Sequence, residues 1–96
     1  MLEKIYKISL KIKDYIEDNK LISEKEELYG AINFNLGLYF YEYQKQYKKA
    51  MKYYLIAAKH NHSSAMNKIG CMYERGEGVR KNKAKAEKWM EKSKNK

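Results

Sequence analysis

The sequence predicts an all-α protein: a short solenoid of antiparallel helix pairs, about five helices in all. Three observations predict it. Apolar residues recur at intervals of three and four along nearly the whole chain, the period of a helix with one buried face. Proline is absent, glycine occurs five times, and the charged residues make up 34% of the chain, a composition that suits helices and leaves few breaks. The chain also repeats itself. Ile32, Leu36, Gly37 and Phe40 match Ala65, Ile69, Gly70 and Tyr73 at a spacing of 33, and Ala50, Tyr53 and Tyr54 match Ala86, Trp89 and Met90 at a spacing of 36. The extra length falls in the turn Gly76-Glu77-Gly78-Val79. A period in the mid-thirties built from helix pairs marks an α-solenoid.

Helix one is expected over 2–18, with Ile5, Ile8, Ile12, Tyr15 and Ile16 as its inward stripe and lysines on the other side. It reads as a helix that packs over the open end of the helix pairs. A surface-lying membrane helix is the weaker reading, because Asp14, Glu17 and Asp18 share the polar face. Asp18-Asn19-Lys20 is a break. Ser23 and Glu26 fit a capping box, so helix two is expected from about 24 to 43, with Leu28, Ile32, Leu36, Phe40 and Tyr43 inward. Gly37 lies within that stripe. A glycine inside a helix costs about 1 kcal/mol against alanine, which implies the close approach of a neighbouring helix backbone.

Gln44-Lys45-Gln46 is a polar turn. Helix three is expected over 47–59, with Tyr47, Ala50, Met51, Tyr54, Ala57 and Ala58 inward. Asn61 tolerates the left-handed conformation that closes a helix. Ser63 or Ser64 caps helix four, expected over 64–75 with Ala65, Ile69, Met72 and Tyr73 inward and Gly70 at a crossing. Gly76 suits a left-handed cap and Val79 an apolar anchor behind it. Asn82 caps helix five, expected over 83–93 with Ala86, Trp89 and Met90 inward, and the last residues, 94–96, are expected to fray. The chain divides into a packing helix (1–20), a first, degenerate helix pair (23–60) and a second pair with a basic end (61–96).

Charge is unevenly spread. Residues 1–48 hold eight lysines and eight acids, whereas 49–96 hold eleven lysines and two arginines against four acids, so the whole net charge of +9 belongs to the second half. A basic end of this kind can bind nucleic acid, anionic lipid or an acidic partner, and the alternative reading is a polyanion site with Lys81, Lys83, Lys85, Lys88 and Lys92 as the contacts. Nineteen of the twenty-one basic residues are lysine, which lacks the planar fork that reads phosphates and bases, so a solvated face is the first reading. No stretch approaches the length of a membrane span, and the charged start has no signal-peptide core. Cys71 is the single cysteine, so no internal disulfide forms. An intracellular, cytoplasmic setting is expected.

Residues 50–93 resemble a Sel-one-like repeat, a relative of the tetratricopeptide repeat. The residues that carry the resemblance are Ala57-Ala58, Ala65, Ile69-Gly70, Tyr73, Gly76-Glu77-Gly78-Val79, Lys85-Ala86 and Trp89. Asn61 and Asn82 depart from the usual glycine and aspartate, and both still cap. Residues 28–49 carry a weaker copy without the glycine turn, and residues 1–22 carry none. The resemblance implies right-handed stacking of helix hairpins, a protein-binding scaffold or adaptor, and no catalytic residues or cofactor. By analogy with tetratricopeptide repeats it places the concave binding face on Ala31, Phe34, Leu38, Tyr41 and Glu42, and on Ser64, Asn67, Cys71, Glu74 and Arg75. Phe34, Leu38 and Tyr41 would anchor a peptide or protein unless helix one covers them, which is the reading favoured by the need to bury both stripes. Self-association through the helix four/five end is expected from the absence of a polar capping repeat there.

The chemically suggestive residues support no reaction. His60, His62 and Cys71 fall short of the three or four converging ligands of a zinc site. Ser63 and Ser64 have no orienting carboxylate or oxyanion site in view. Gly76-x-Gly78 ends a helix, where phosphate loops begin one.

Overall fold

The computed structural model describes residues 2–95, and five α-helices run through them in the expected order. They are α1 (Leu2–Asp18), α2 (Glu26–Leu38), α3 (Tyr47–Lys59), α4 (Ser63–Arg75) and α5 (Lys83–Lys94), with no strand among the described residues. Each helix packs chiefly on its neighbour in sequence, so the core is a stack of hairpins: α2 on α3, then α4 on α5, with α1 against α2. Ala50, Tyr54, Ala57, Ala65, Ile69 and Met72 form the sealed centre. A second cluster of Ile16, Tyr29, Ile32 and Leu36 joins α1 to the first hairpin.

The register of the repeat is visible in its glycines. A Cβ on Gly37 would lie 2.5 Å from the Tyr54 ring, and one on Gly70 would lie 2.8 Å from Met90 Cγ. Tyr54 and Met90 are themselves equivalent positions. At Gly37 the close neighbour is therefore an aromatic ring, not the helix backbone expected. Asn61 adopts a φ of 66°, and the bonds His62 N–H to Ala57 O (3.1 Å) and Asn61 N–H to Ala58 O (3.0 Å) close α3 as the paired left-handed motif does. Gly76 closes α4 with a φ of 71°, and the Asn82 side chain accepts from Lys85 N–H to open α5. Lys94 belongs to α5 and Asn95 N–H bonds to Glu91 O, while Lys96, part of the expected fraying end, lies outside the described residues.

Four expectations are corrected. Helix one turns a different face inward: Tyr6, Leu10 and Ile16 pack, while Ile5, Ile8, Ile12 and Tyr15 point to solvent. The turned orientation is held by Glu17, whose Oε2 accepts from Lys13 Nζ (2.7 Å) and from Tyr29 Oη (2.5 Å), and by Tyr6, which stacks on Tyr39 at 4.3 Å. Counting isoleucines selects the wrong face because aromatic and hydrogen-bonded contacts outweigh them. Helix two starts at Glu26 without a side-chain cap. Lys25 N–H bonds to Leu21 O instead, so the Ser23 capping box does not form. It also ends early, passing at Leu38 into a π-helical turn, Tyr39–Tyr43. The wider turn buries Phe40 and leaves Tyr43 exposed, as Leu28 is at the other end. Finally, His62 caps α4, its Nδ1 accepting from Ala65 N–H at 3.3 Å, one residue before either serine.

Candidate functional site

α2 with its π turn and α4 are the first helices of the two hairpins, and side chains of the π turn reach those of α4. The residues that the tetratricopeptide analogy assigns to a concave face fall on these elements. At one end Ala31, Phe34 and Leu38 are half-buried. Phe34 stacks on His62 at 4.6 Å and tilts against Tyr54 at 5.7 Å. The ring partners of Phe34 come from α3 and from the start of the second hairpin. α1 reaches Leu38, where Ile5 and Tyr6 help line a small cleft of about 230 Å³.

At the other end Tyr41 joins the two hairpins. Its hydroxyl donates to Glu77 Oε1 at 2.7 Å and accepts from Arg75 Nη1 at 3.5 Å. Its ring lies 5.0 Å from that of Tyr47, and Lys68 Nζ sits 4.6 Å above it. Burial, then the bond to Glu77, pushes the Tyr41 hydroxyl above its ordinary pKa, so it stays a donor. Glu42 faces Lys68 across the same seam at 3.8 Å. The turn that supplies Glu77 is itself seated on the first hairpin: a Cβ on Gly78 would meet the Tyr47 carbonyl carbon at 2.7 Å. Tyr41, expected from the sequence to anchor a partner, is therefore the clasp between hairpins. Asn67, Glu74 and Arg75 are exposed on α4, and Cys71 is half-buried beside them. Lys68 and Glu77 were missed by the sequence reading. Their place in the face depends on Tyr41, 36 residues from Glu77, and no local pattern announces that.

The lysines of the basic end are arranged differently. Lys85 Nζ lies 5.5 Å over the Tyr73 ring and Lys92 Nζ 4.9 Å over Trp89. Lys81, Lys83 and Lys88 lie at the surface, and Lys88 and Lys92 share their helix surface with Glu87 and Glu91. The acids lower the potential that five lysines alone would raise. On the outer side of the stack, Leu55, Ala58, Met66 and Trp89 floor a groove of about 520 Å³ between α3 and α5.

The histidines are spent on structure. His62 is a helix cap, and His60 Nδ1 lies 3.1 Å from Glu26 Oε2 with its ring edge-on to Tyr29. Among the described residues no group of three or more His, Cys, Asp or Glu side chains is placed to hold a metal ion. Among them, too, no helix is long and apolar enough to cross a membrane. A protein-family model described as Sel1 repeat matches residues 33–62 and 63–96, one match for each hairpin and together two thirds of the chain. Neither the curated proteins nor the solved structures give a match.

Proposed function

The chain belongs to the Sel1 repeat family, and from that premise we propose that it is a non-enzymatic adaptor that binds another protein or peptide along the face shared by α2 and α4. Repeats of this family generally mediate protein–protein interaction and are typically non-catalytic. The observation that carries the reading is the clasp at Tyr41. Bonds to Glu77 and Arg75, with Glu42 against Lys68, hold two helices from separate hairpins at a fixed spacing. A face fixed before binding loses little side-chain entropy when a partner docks. It offers an apolar end at Ala31, Phe34 and Leu38 and a polar end at Asn67, Cys71, Glu74 and Arg75. The apolar end supplies affinity and the polar end orientation, the usual division of an interface into core and rim.

Photo-crosslinking tests this reading. A photoreactive side chain is placed at Asn67 or Glu74, both exposed on α4, and at Glu87 on α5 as the contrast. The expected result is a discrete protein adduct from positions 67 and 74, kept in high salt. If position 87 alone gives adducts, and these are nucleic acid lost as salt rises, the basic helix is the binding surface and the adaptor reading fails. Polyanion contacts weaken steeply with salt, whereas an interface centred on Phe34 and Leu38 does not.

A further inference from the structure

The outward face of α1 contributes no buried residue to the core. Ile5, Ile8, Ile12 and Tyr15 are 53%, 55%, 38% and 62% exposed, and they follow one another at intervals of three, four and three. That is the a/d seam of a two-helix coiled coil. The opposite side of the helix is committed to the body through Tyr6, Leu10 and Glu17. One edge of the seam carries Lys4, Lys11 and Asp18, seven residues apart and all exposed. The other edge, Ser9 and Ile16, leans against the body.

We propose that α1 pairs with α1 of a second copy of this chain, antiparallel and about a two-fold axis near the middle of the helix. In that arrangement Ile5 meets Tyr15 of the second copy and Ile8 meets its Ile12. Antiparallel helices bring like edges together, so Lys4 faces Asp18 of the second copy at both ends of the seam. A parallel pair would set Lys4 and Lys11 against Ser9 and Ile16, with no charge match. The same register sets Lys11 against Lys11 of the second copy at the axis, so the edge holds two opposite-charge contacts and one like-charge contact, whereas the parallel pair holds no opposite-charge contact. An anionic membrane would gain from Lys4 and Lys11 but be repelled by Asp18. Because the remaining large apolar residues, Tyr6, Leu10 and Ile16, already pack on the body, one partner satisfies the seam. A helix about 25 Å long offers less than a standard interface, so the dimer forms at micromolar concentrations and dissociates on dilution. This surface lies at the other end of the stack from the α4/α5 contact expected from the sequence.

Sedimentation equilibrium over the micromolar range, on the whole chain, tests the proposal. Ile8→Glu should weaken the dimer at least about 100-fold, since it sits at the centre of the seam. Its thermal melt, followed by circular dichroism, should match the parent because position 8 makes no core contact. Lys4→Glu and Asp18→Lys should each weaken association about three- to tenfold, and the chain carrying both should recover it. The two residues are about 21 Å apart within one α1, so recovery can arise only between chains. A monomer at high micromolar concentration overturns the proposal. So does a dimer that survives Ile8→Glu and is lost with Ala84→Arg on α5, and so does a charge pair that fails to recover.

Discussion

In the first hairpin Gly37 rests on the Tyr54 ring, and in the second Gly70 rests on Met90. The same backbone frame is filled by a rigid aromatic side chain in one case and a flexible one in the other. The ends differ as well. The second hairpin opens on the His62 cap, turns through two left-handed glycines and restarts on the Asn82 cap. The first opens at Lys25 with no side-chain cap and leaves α2 through a π turn. Local signals close the second hairpin, whereas tertiary contacts close the first. The first hairpin should therefore depend on its neighbours, and the glycine turn of the second is one of them.

The largest expected effect breaks that dependence. Gly78 has a φ of 72°, and a side chain there would meet the Tyr47 and Lys48 backbone at 2.7–2.9 Å. Backbone cannot rotate away as a side chain can, so Gly78→Ala combines left-handed strain with a clash and should cost about 3 kcal/mol or more. Gly76 has nearly the same φ, but its added Cβ would find only the Lys81 Cβ at 3.3 Å within close range. Gly76→Ala should cost about 1 kcal/mol. Urea unfolding of the two variants checks this. Equal losses would mean that the turn serves α4 and α5 alone and does not brace the first hairpin.

The difference between the hairpins also explains what the sequence could reveal. Asn61, Gly76 and Asn82 act within a few residues of themselves, and their roles as left-handed closures and cap are legible from local chemistry. The orientation of α1 is not. Its isoleucine stripe is the stronger periodic signal, yet the face that packs is set by Glu17 reaching Tyr29 and Tyr6 stacking on Tyr39. The same limit applies to the proposed binding face. The spacing from each glycine singles out Phe34 and Tyr41, but it cannot show that His62 and Glu77 come from the second hairpin to meet them. The π turn has no local signature either: Tyr39–Tyr43 continues the helical pattern of α2, and the widening goes with a buried Phe40.

A smaller effect sharpens the comparison at the paired glycines. Alanine at either site gains about 1 kcal/mol in helix propensity. At position 37 it would strike a ring that is fully buried and held from all sides, so Gly37→Ala should destabilise by about 2 kcal/mol net. At position 70 Met90 is half-buried and can change rotamer, although the Ala86 carbonyl at 3.0 Å limits the room. Gly70→Ala should stay within about 1 kcal/mol of the parent. A larger loss at 70 than at 37 would reverse the assignment of the rigid and flexible fillings.

The smallest effect concerns the Tyr54 hydroxyl itself. It is wholly buried and has no hydrogen-bond partner among the described residues, and burial pushes its pKa well above that of a free tyrosine. Glu42, Tyr41 and Glu77 lie near enough to disfavour its ionisation further. A buried hydroxyl that gives up water without gaining a partner destabilises the fold, and removing it while keeping the ring recovers that loss. Tyr54→Phe should thus be neutral or stabilising by up to about 1 kcal/mol, with Gly37 still resting on the ring. It makes the first hairpin like the second, where the equivalent Met90 carries no hydroxyl. A loss of more than about 1 kcal/mol on urea unfolding would mean that the hydroxyl is satisfied in solution, and that the Tyr41 clasp extends inward to Tyr54 instead of ending at Glu77.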